Sequence, residues 1–231
     1  MRLLLTSGGV TNASIRSALV ELLGKPIEES RALCIPTAQW GHPKCGPESV
    51  RRFISSDAES PSLTGLGWAS VGVLELTALP TIDPGRWMPW VRGADVLLVD
   101  GGDATYLCRW MRESGLADLL PSLTDTVWVG VSAGSMVLTP RIGADFVAWP
   151  DAPDDRTLGL VDFAIFPHLF AFPENMPADA ERWAAGLDIA AYAIDEQTAI
   201  WVVDDVVDVI SEGDWTYFGA APTSGERTPG R

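Results

Sequence analysis

Apolar runs alternate with segments of helical periodicity up to Pro140. The runs lie at Leu3–Thr6, Ala32–Pro36, Ala69–Leu76, Asp95–Val99 and Val127–Val131. Short apolar runs bounded by glycine or polar residues are typical of buried strands. Between these runs, apolar residues recur every three or four positions, as they do after the N-cap candidate Asn12. Strands that alternate with helices predict a parallel sheet with helices on both faces.

The pattern changes after Pro140. An acidic, proline-bearing loop is expected at Ala148–Thr157, then a strand at Val161–Phe166 and a helix at Glu174–Ala185. Four short apolar runs follow, at Ala190–Ile194, Ala199–Val203, Val206–Ile210 and Trp215–Phe218. With Asp204-Asp205 as a turn, they predict a C-terminal β-hairpin region.

The chain contains no internal repeat and no interdomain linker that we can identify. Its length of 231 residues is within the range of one α/β domain. Residues 220–231 are small and polar with Pro and Gly, a composition typical of a disordered tail. We therefore predict an α/β fold: a single domain over residues 1–219, with a mostly parallel sheet flanked by helices and a C-terminal β-hairpin region.

The charge balance argues against two classes of partner. The chain has 16 Lys and Arg against 31 Asp and Glu, a net charge of −15. Nucleic acids and anionic membrane surfaces are both bound through clustered cations, so neither is an expected partner. No apolar stretch reaches the ~18 residues of a membrane span, and the run after Arg2 is too short for a secretory signal. Three cysteines without CxxC spacing favour a reducing compartment, so we expect a cytoplasmic protein.

The candidate chemistry lies directly after the run Val127–Val131. Gly130-Val131-Ser132-Ala133-Gly134 has the Gly-x-Ser-x-Gly pattern of a nucleophile elbow, a sharp strand-to-helix turn that presents a serine hydroxyl. The N–H of Ala133 and the helix start would face an oxygen that becomes negative during acyl transfer. Ser132 is the candidate nucleophile, and a strand–helix turn without chemistry is the alternative.

Serine is a weak nucleophile without an activating base, and the chain has two histidines. His168 follows the predicted strand Val161–Phe166, so we expect it at the carboxyl edge of the sheet, near Ser132. His42 lies in a loop with no strand to position it. His168 is therefore the candidate base, with a purely structural histidine as the alternative.

Two glycine pairs follow predicted strands in a similar way. Gly101-Gly102 ends the run Asp95–Val99, and Asp103 can cap the next helix. Because Gly102 lacks a Cβ, its N–H can approach a ligand closely and serve as a second oxyanion donor; a plain turn is the equal alternative. Gly8-Gly9 has the same form, and there we expect only a turn.

Three segments in this order resemble peptidase family S51. They are Asp100-Gly101-Gly102-Asp103, Gly130-Val131-Ser132-Ala133-Gly134-Ser135 and Phe166-Pro167-His168. The family includes dipeptidase E and cyanophycinase and has a class I glutamine amidotransferase-like fold. The resemblance extends from Leu3 to about Trp215. It implies a serine peptidase that cleaves short peptides, with Ser132 as nucleophile, His168 as base, and the N–H groups of Gly102 and Ala133 as the oxyanion hole.

The resemblance also implies an aspartate after the serine as the third catalytic residue. Val147 stands at the gapless equivalent position, so we place this role on Asp145, two residues earlier. Three further carboxylates of the acidic loop compete for it, namely Asp151, Asp154 and Asp155.

Dipeptidase E recognises an N-terminal aspartate through an arginine that follows the histidine. Here Arg182 is the nearest such residue and is a substrate-binding candidate for Asp-Xaa dipeptides; a solvated helix charge is its alternative. Asp195-Glu196 resembles a family segment near the pocket, so Glu196 is the second substrate-binding candidate. Cys108 fits the apolar face of its helix, and we expect it in the core.

The sequence indicates no metal site, because no His, Asp and Glu cluster has ligand spacing, and we expect no cofactor. A short peptide is the expected partner, and a homodimer is a candidate assembly. Two other functions stay open. One is an esterase of the α/β-hydrolase type, disfavoured because a long segment follows His168. The other is a non-catalytic binding protein on the same fold, which Val147 at the expected acid position favours.

Overall fold

A computed structural model of the chain describes residues 1–56 and 62–219. The predicted tail, residues 220–231, lies outside these ranges, as does part of Ser55–Gly67, a segment whose polar residues predict a loop. Ten strands, numbered along the chain, are described in these ranges: β1 Arg2–Thr6, β2 Arg31–Ile35, β3 Ser70–Val73, β4 Val96–Val99, β5 Val127–Val131, β6 Phe163–Phe166, β7 Ala190–Ile194, β8 Thr198–Val203, β9 Val206–Ser211 and β10 Trp215–Phe218.

Seven strands form the main sheet in the order β3-β2-β4-β5-β1-β8-β9. The first five run parallel, and β8 and β9 add two antiparallel strands beside β1. Asp204 and Asp205 have positive φ of 49° and 64° at the β8–β9 turn, as a two-residue hairpin with the right-handed twist requires. The mostly parallel sheet and the C-terminal hairpin are thus confirmed.

A second sheet, which the sequence pattern did not predict, has the order β10-β7-β6. Strands β6 and β7 are parallel, and β10 is antiparallel to β7. The chain passes from this sheet back to the main sheet at the short β7–β8 turn, residues 195–197. Side chains on that turn and after β6 can therefore approach the end of the main sheet from one side.

Helices cover both faces of the main sheet. Their bounds are α1 Ala13–Leu23, α2 Ala38–Gly41, α3 Pro47–Ser55, α4 Pro84–Arg92, α5 Ala104–Glu113, α6 Leu116–Leu119, α7 Ala133–Met136 and α8 Pro177–Ala185. Alternation along β1 shows the two layers: Leu3 and Leu5 pack in a cluster with α4, α5 and α7, whereas Leu4 packs in a cluster with α1 and α3. This arrangement confirms the single α/β domain.

Local signals placed most helices well. Asn12 caps α1 by accepting a hydrogen bond from the Ile15 N–H at 2.9 Å, and Cys108 is buried on α5 as expected. Helix α4 was not predicted, because its Pro84-Gly85 start and the internal Pro89 hide its periodicity. In the described ranges, no helix has the length and apolar character that a membrane crossing requires.

Candidate active site

The sharp bend between β5 and α7 presents Ser132. This serine has φ 49° and ψ −111°, a conformation that L residues rarely adopt and that the surroundings must enforce. A Cβ at position 130 would collide with the Gly134 carbonyl, and one at position 134 would collide with the Val99 carbonyl. The elbow therefore requires both glycines, as the motif predicts.

The structure brings the hydroxyl of Ser132 within hydrogen-bond distance of His168. Ser132 Oγ lies 2.9 Å from His168 Nε2. From the sequence, His168 was expected at the edge of the same sheet as Ser132. The histidine instead follows β6, so it reaches the serine from the second sheet. Its backbone has φ 62°, and the next residue, Leu169, donates its N–H to the Ile194 carbonyl on β7 at 3.1 Å. The predicted pair is thus assembled across two sheets.

A carboxylate on the β7–β8 turn completes a chain of three side chains. Glu196 Oε1 lies 2.6 Å from His168 Nδ1. This contact assigns the proton to Nδ1, because a carboxylate accepts a hydrogen bond there, and it leaves the Nε2 lone pair facing Ser132. Glu196 was expected to contact substrate; the structure places it behind the histidine instead.

Backbone and side-chain contacts fix the turn that carries Glu196. Thr11 Oγ1 donates to the Glu196 carbonyl at 2.6 Å, and Asn12 Nδ2 donates to the Gln197 carbonyl at 2.8 Å. Asp195 accepts from the N–H groups of Gln197 at 2.9 Å and Asp214 at 2.7 Å, so its role is to hold the turn. The start of α1 and the turn before β8 are thereby locked together.

Ser7 is a residue of this site that the sequence analysis missed. It is fully buried after β1, and its Oγ accepts the His168 backbone N–H at 2.6 Å and lies 3.3 Å from Nδ1. A Cβ at Gly8 would overlap the Glu196 carboxylate, so the bare glycine provides the space for that side chain. The segment expected to be only a turn therefore supports both His168 and Glu196.

Asp145, the predicted third catalytic residue, is not in contact with His168 Nδ1, because Glu196 occupies that position. Asp145 is exposed in a short turn at Ala144–Phe146. Of the competing carboxylates, Asp155 forms a two-pronged ion pair with Arg141 at 3.0 and 3.1 Å. Asp154 accepts the Arg156 N–H at 2.9 Å.

Arg182, the predicted contact for a substrate aspartate, is an exposed residue on α8. Its guanidinium pairs with Asp179 one turn earlier, at 2.8 Å, and the Arg182 side chain is 70 % exposed. This is the solvated helix charge that the sequence left as its alternative. His42 also lies apart from the reacting pair, in the α2–α3 loop, where its Nδ1 accepts the Lys44 N–H at 3.2 Å.

The second glycine pair lies beside the elbow. A Cβ at Gly101 would be 3.5 Å from the Cβ of Ser132, and a Cβ at Gly102 would collide with the Ala38 carbonyl. Gly102 also has φ 135°, so glycine is required there on two counts. Among the described residues, no protein acceptor binds the N–H of Gly102 or Ala133, so both donors are free for a ligand.

Asp103, the residue after Gly102, holds two neighbouring segments together. It is fully buried and caps α5 by accepting the Tyr106 N–H at 2.7 Å, as predicted. Its second oxygen accepts the N–H groups of Ala148 at 2.7 Å and Trp149 at 2.8 Å. The predicted acidic loop is thereby held against α5, where the Trp149 ring packs edge-on against Tyr106.

A buried carboxyl precedes the glycine pair. Asp100 is 8 % exposed, and burial raises its pKa to about 6, against the opposing effect of hydrogen bonds from Gln39 and Gly101. Gln39 Nε2 donates to Asp100 Oδ2 at 2.5 Å. Within the described ranges, Gln39 Oε1 is buried without a hydrogen-bond partner. A side chain at position 100 that can also donate a hydrogen bond would satisfy the Gln39 amide better than a carboxylate, which can only accept.

We expect Asp100→Asn to stabilise the protein at neutral pH. Because burial raises the folded-state pKa of Asp100 to about 6, above the ordinary value of an aspartate in the unfolded chain, the carboxyl favours folding at low pH, and that contribution is lost as pH rises through about 6. Removing the buried charge should gain about 1–3 kcal/mol at pH 7.5 and little at pH 4.5. Urea unfolding of both proteins at the two pH values measures this, and an equal difference at both would contradict it.

The described residues contain no group of three or more side chains able to hold a metal ion. The site brings together a hydroxyl, an imidazole, a carboxylate and two free backbone N–H groups. This set is the one that acyl transfer through an activated serine requires.

Comparison with known proteins agrees with this chemistry. Residues 3–210 match peptidase family S51. A protein from Listeria monocytogenes EGD-e, described provisionally as a peptidase E, has a similar fold, with a TM-score of 0.64. The two sequences are 20 % identical, and the match covers 92 % of this chain and 98 % of the Listeria protein. A peptidase from an acI-B1 actinobacterium also has a similar fold, with a TM-score of 0.60 and 19 % sequence identity. That match covers 96 % of this chain and 95 % of the actinobacterial protein. No curated protein matches the chain. The chain belongs to peptidase family S51 and is a serine-type peptidase.

Proposed function

We propose that this peptidase cleaves short peptides, dipeptides in particular, through a triad of Ser132, His168 and Glu196. The observation that carries the proposal is the continuous contact from Ser132 Oγ through both ring nitrogens of His168 to Glu196, at 2.9 and 2.6 Å. The preference for short peptides rests on the family resemblance. We also propose that the protein is located in the cytoplasm.

In the proposed reaction, Ser132 Oγ attacks the scissile carbonyl carbon as its proton moves to His168 Nε2. The carbonyl oxygen becomes negative and accepts hydrogen bonds from the N–H groups of Gly102 and Ala133. His168 then returns the proton to the leaving amine as the C–N bond breaks, which leaves an acyl-enzyme. Water, deprotonated by His168, attacks this ester and releases the acid and the free serine.

The supporting residues keep the histidine ready for both proton transfers. Glu196 stabilises the imidazolium that forms during each step and holds the ring orientation. Ser7 accepts the backbone N–H of His168, which fixes a residue whose left-handed φ is otherwise unfavourable. Gly8 keeps the space that the Glu196 carboxylate occupies.

A dipeptide panel and a fluorophosphonate probe test this function together. We expect the purified protein to release free amino acids from members of a panel varied at both positions, Asp-Xaa dipeptides included, and to be labelled covalently at Ser132. Labelling with ester hydrolysis but no peptide cleavage would support the esterase instead. Dipeptide binding without labelling or cleavage would support the non-catalytic binding protein and refute the peptidase proposal.

A further inference from the structure

Two exposed aromatic residues lie on the loop that follows the proposed base, and one of them packs against it. Phe170 is 48 % exposed and Phe172 is 50 % exposed. The Phe172 ring packs edge-on against the His168 imidazole, with ring centroids 5.7 Å apart and an interplanar angle of 74°. An apolar side chain that is half-exposed beside a reacting group offers contact area to a ligand.

The loop that carries these rings, residues 167–175, is held by its own hydrogen bonds. The Phe170 N–H donates to the Asn175 carbonyl at 2.8 Å, and the Asn175 N–H donates to the Phe172 carbonyl at 3.0 Å. Asn175 is itself buried, and its side-chain amide donates to the Pro167 carbonyl at 3.1 Å. Hydrogen bonds within the loop therefore fix the backbone that carries Phe170 and Phe172.

Backbone strain in the same loop indicates that this presentation serves a function. His168 and Phe170 have φ of 62° and 66°. A bulky aromatic residue at positive φ is unfavourable, and such strain persists where neighbouring contacts enforce it, often at ligand sites. In this loop two phenylalanine side chains are half-exposed, although burying them would favour folding, and the Phe172 ring packs against the base.

The charges near the base disfavour an acidic ligand residue. Glu196 contacts the same imidazole that Phe172 touches. The arginine that the sequence offered for a substrate carboxylate is paired with Asp179 on α8. An acidic side chain beside His168 would meet the Glu196 carboxylate and the Phe172 ring, whereas an apolar side chain would bury that ring.

We propose that Phe172, with Phe170, forms an apolar subsite for the side chain of the leaving amino acid. This inference rests on the proposed function. His168 delivers its proton to the leaving amine, so a ring packed against His168 lies on the leaving side of the scissile bond. The preferred dipeptides then carry a large apolar residue, such as Leu or Phe, at the second position.

The test compares the kcat/KM of dipeptides that share the best-cleaved first residue and end in Leu, Phe, Asp or Gly. We expect the wild-type protein to prefer Leu and Phe over Gly and Asp. Phe172→Ala should lower the Leu-to-Gly ratio of kcat/KM about tenfold or more, because the apolar contact is lost. Phe172→Leu, which restores apolar area, should recover much of that ratio.

Trp90→Ala is the matched control, because Trp90 is an exposed aromatic residue on α4 beside the edge strand β3. It should leave the ratio unchanged. A Leu-to-Gly ratio that Phe172→Ala does not alter, a wild-type preference for Asp at the second position, or discrimination confined to the first residue would each overturn the subsite. Absence of both peptide cleavage and fluorophosphonate labelling would instead refute the peptidase proposal on which the subsite rests.

Discussion

Ser132→Ala is expected to lower kcat for dipeptide hydrolysis by about 10³–10⁶-fold, because it removes the atom that forms the acyl-enzyme. The fold should persist. Alanine is smaller than serine, and within the described part of the chain the hydroxyl makes its side-chain hydrogen bond with His168. The backbone bend is enforced by Gly130 and Gly134, which the variant retains.

Three measurements on the purified variant check this expectation: peptide turnover, fluorophosphonate labelling, and thermal unfolding followed by circular dichroism. Ser17→Ala is a suitable control, since Ser17 is exposed on α1 and its Oγ donates only to the Ala13 carbonyl. It should resemble the wild-type protein in all three. Turnover by Ser132→Ala within tenfold of wild type would remove Ser132 from the mechanism.

Glu196→Gln is expected to lower kcat by about 10²–10⁴-fold with a much smaller change in KM. The amide keeps the size of the side chain but can donate to His168 Nδ1. That donation would move the imidazole proton to Nε2, where it faces Ser132 and prevents the ring from acting as a base. The effect arises through the tautomer, so substrate binding should change little.

Asp145→Asn is the matched comparison for this prediction. Asp145 is exposed on its turn, so its amide variant should keep kcat and KM within about twofold of wild type. Steady-state kinetics of both variants on the same dipeptide decide between the two carboxylates. A large kcat loss in Asp145→Asn with little loss in Glu196→Gln would restore the assignment that the sequence favoured.

The fold could be predicted because its signals are local. Each parallel strand of the main sheet coincides largely with a short apolar run, and each of these five runs is followed by a polar residue, which marks its end. The elbow is local as well, since the close backbone approaches at Gly130 and Gly134 arise within a few residues of Ser132. Asn12 and Asp103 cap their helices through contacts three residues away.

The carboxylate that contacts His168 could not be predicted by the same means. Glu196 lies 28 residues from His168 in sequence, on a turn whose place depends on the second sheet and on Thr11 and Asn12. The chain has 31 acidic residues, and no local pattern separates the one that meets a histidine from the others. The family resemblance implied an aspartate close to position 147, and Asp145 was the nearest carboxylate; it is exposed in the structure.

Residue order alone determined the parallel α/β architecture, the serine at a strand-to-helix bend and the histidine after a later strand, because short-range packing and backbone sterics encode these features. Only the tertiary structure decided which carboxylate holds the histidine, that Ser7 and Gly8 support this arrangement, and that the Phe172 ring packs against the imidazole. Those contacts join segments from both ends of the chain, and they exist only after two sheets have packed together.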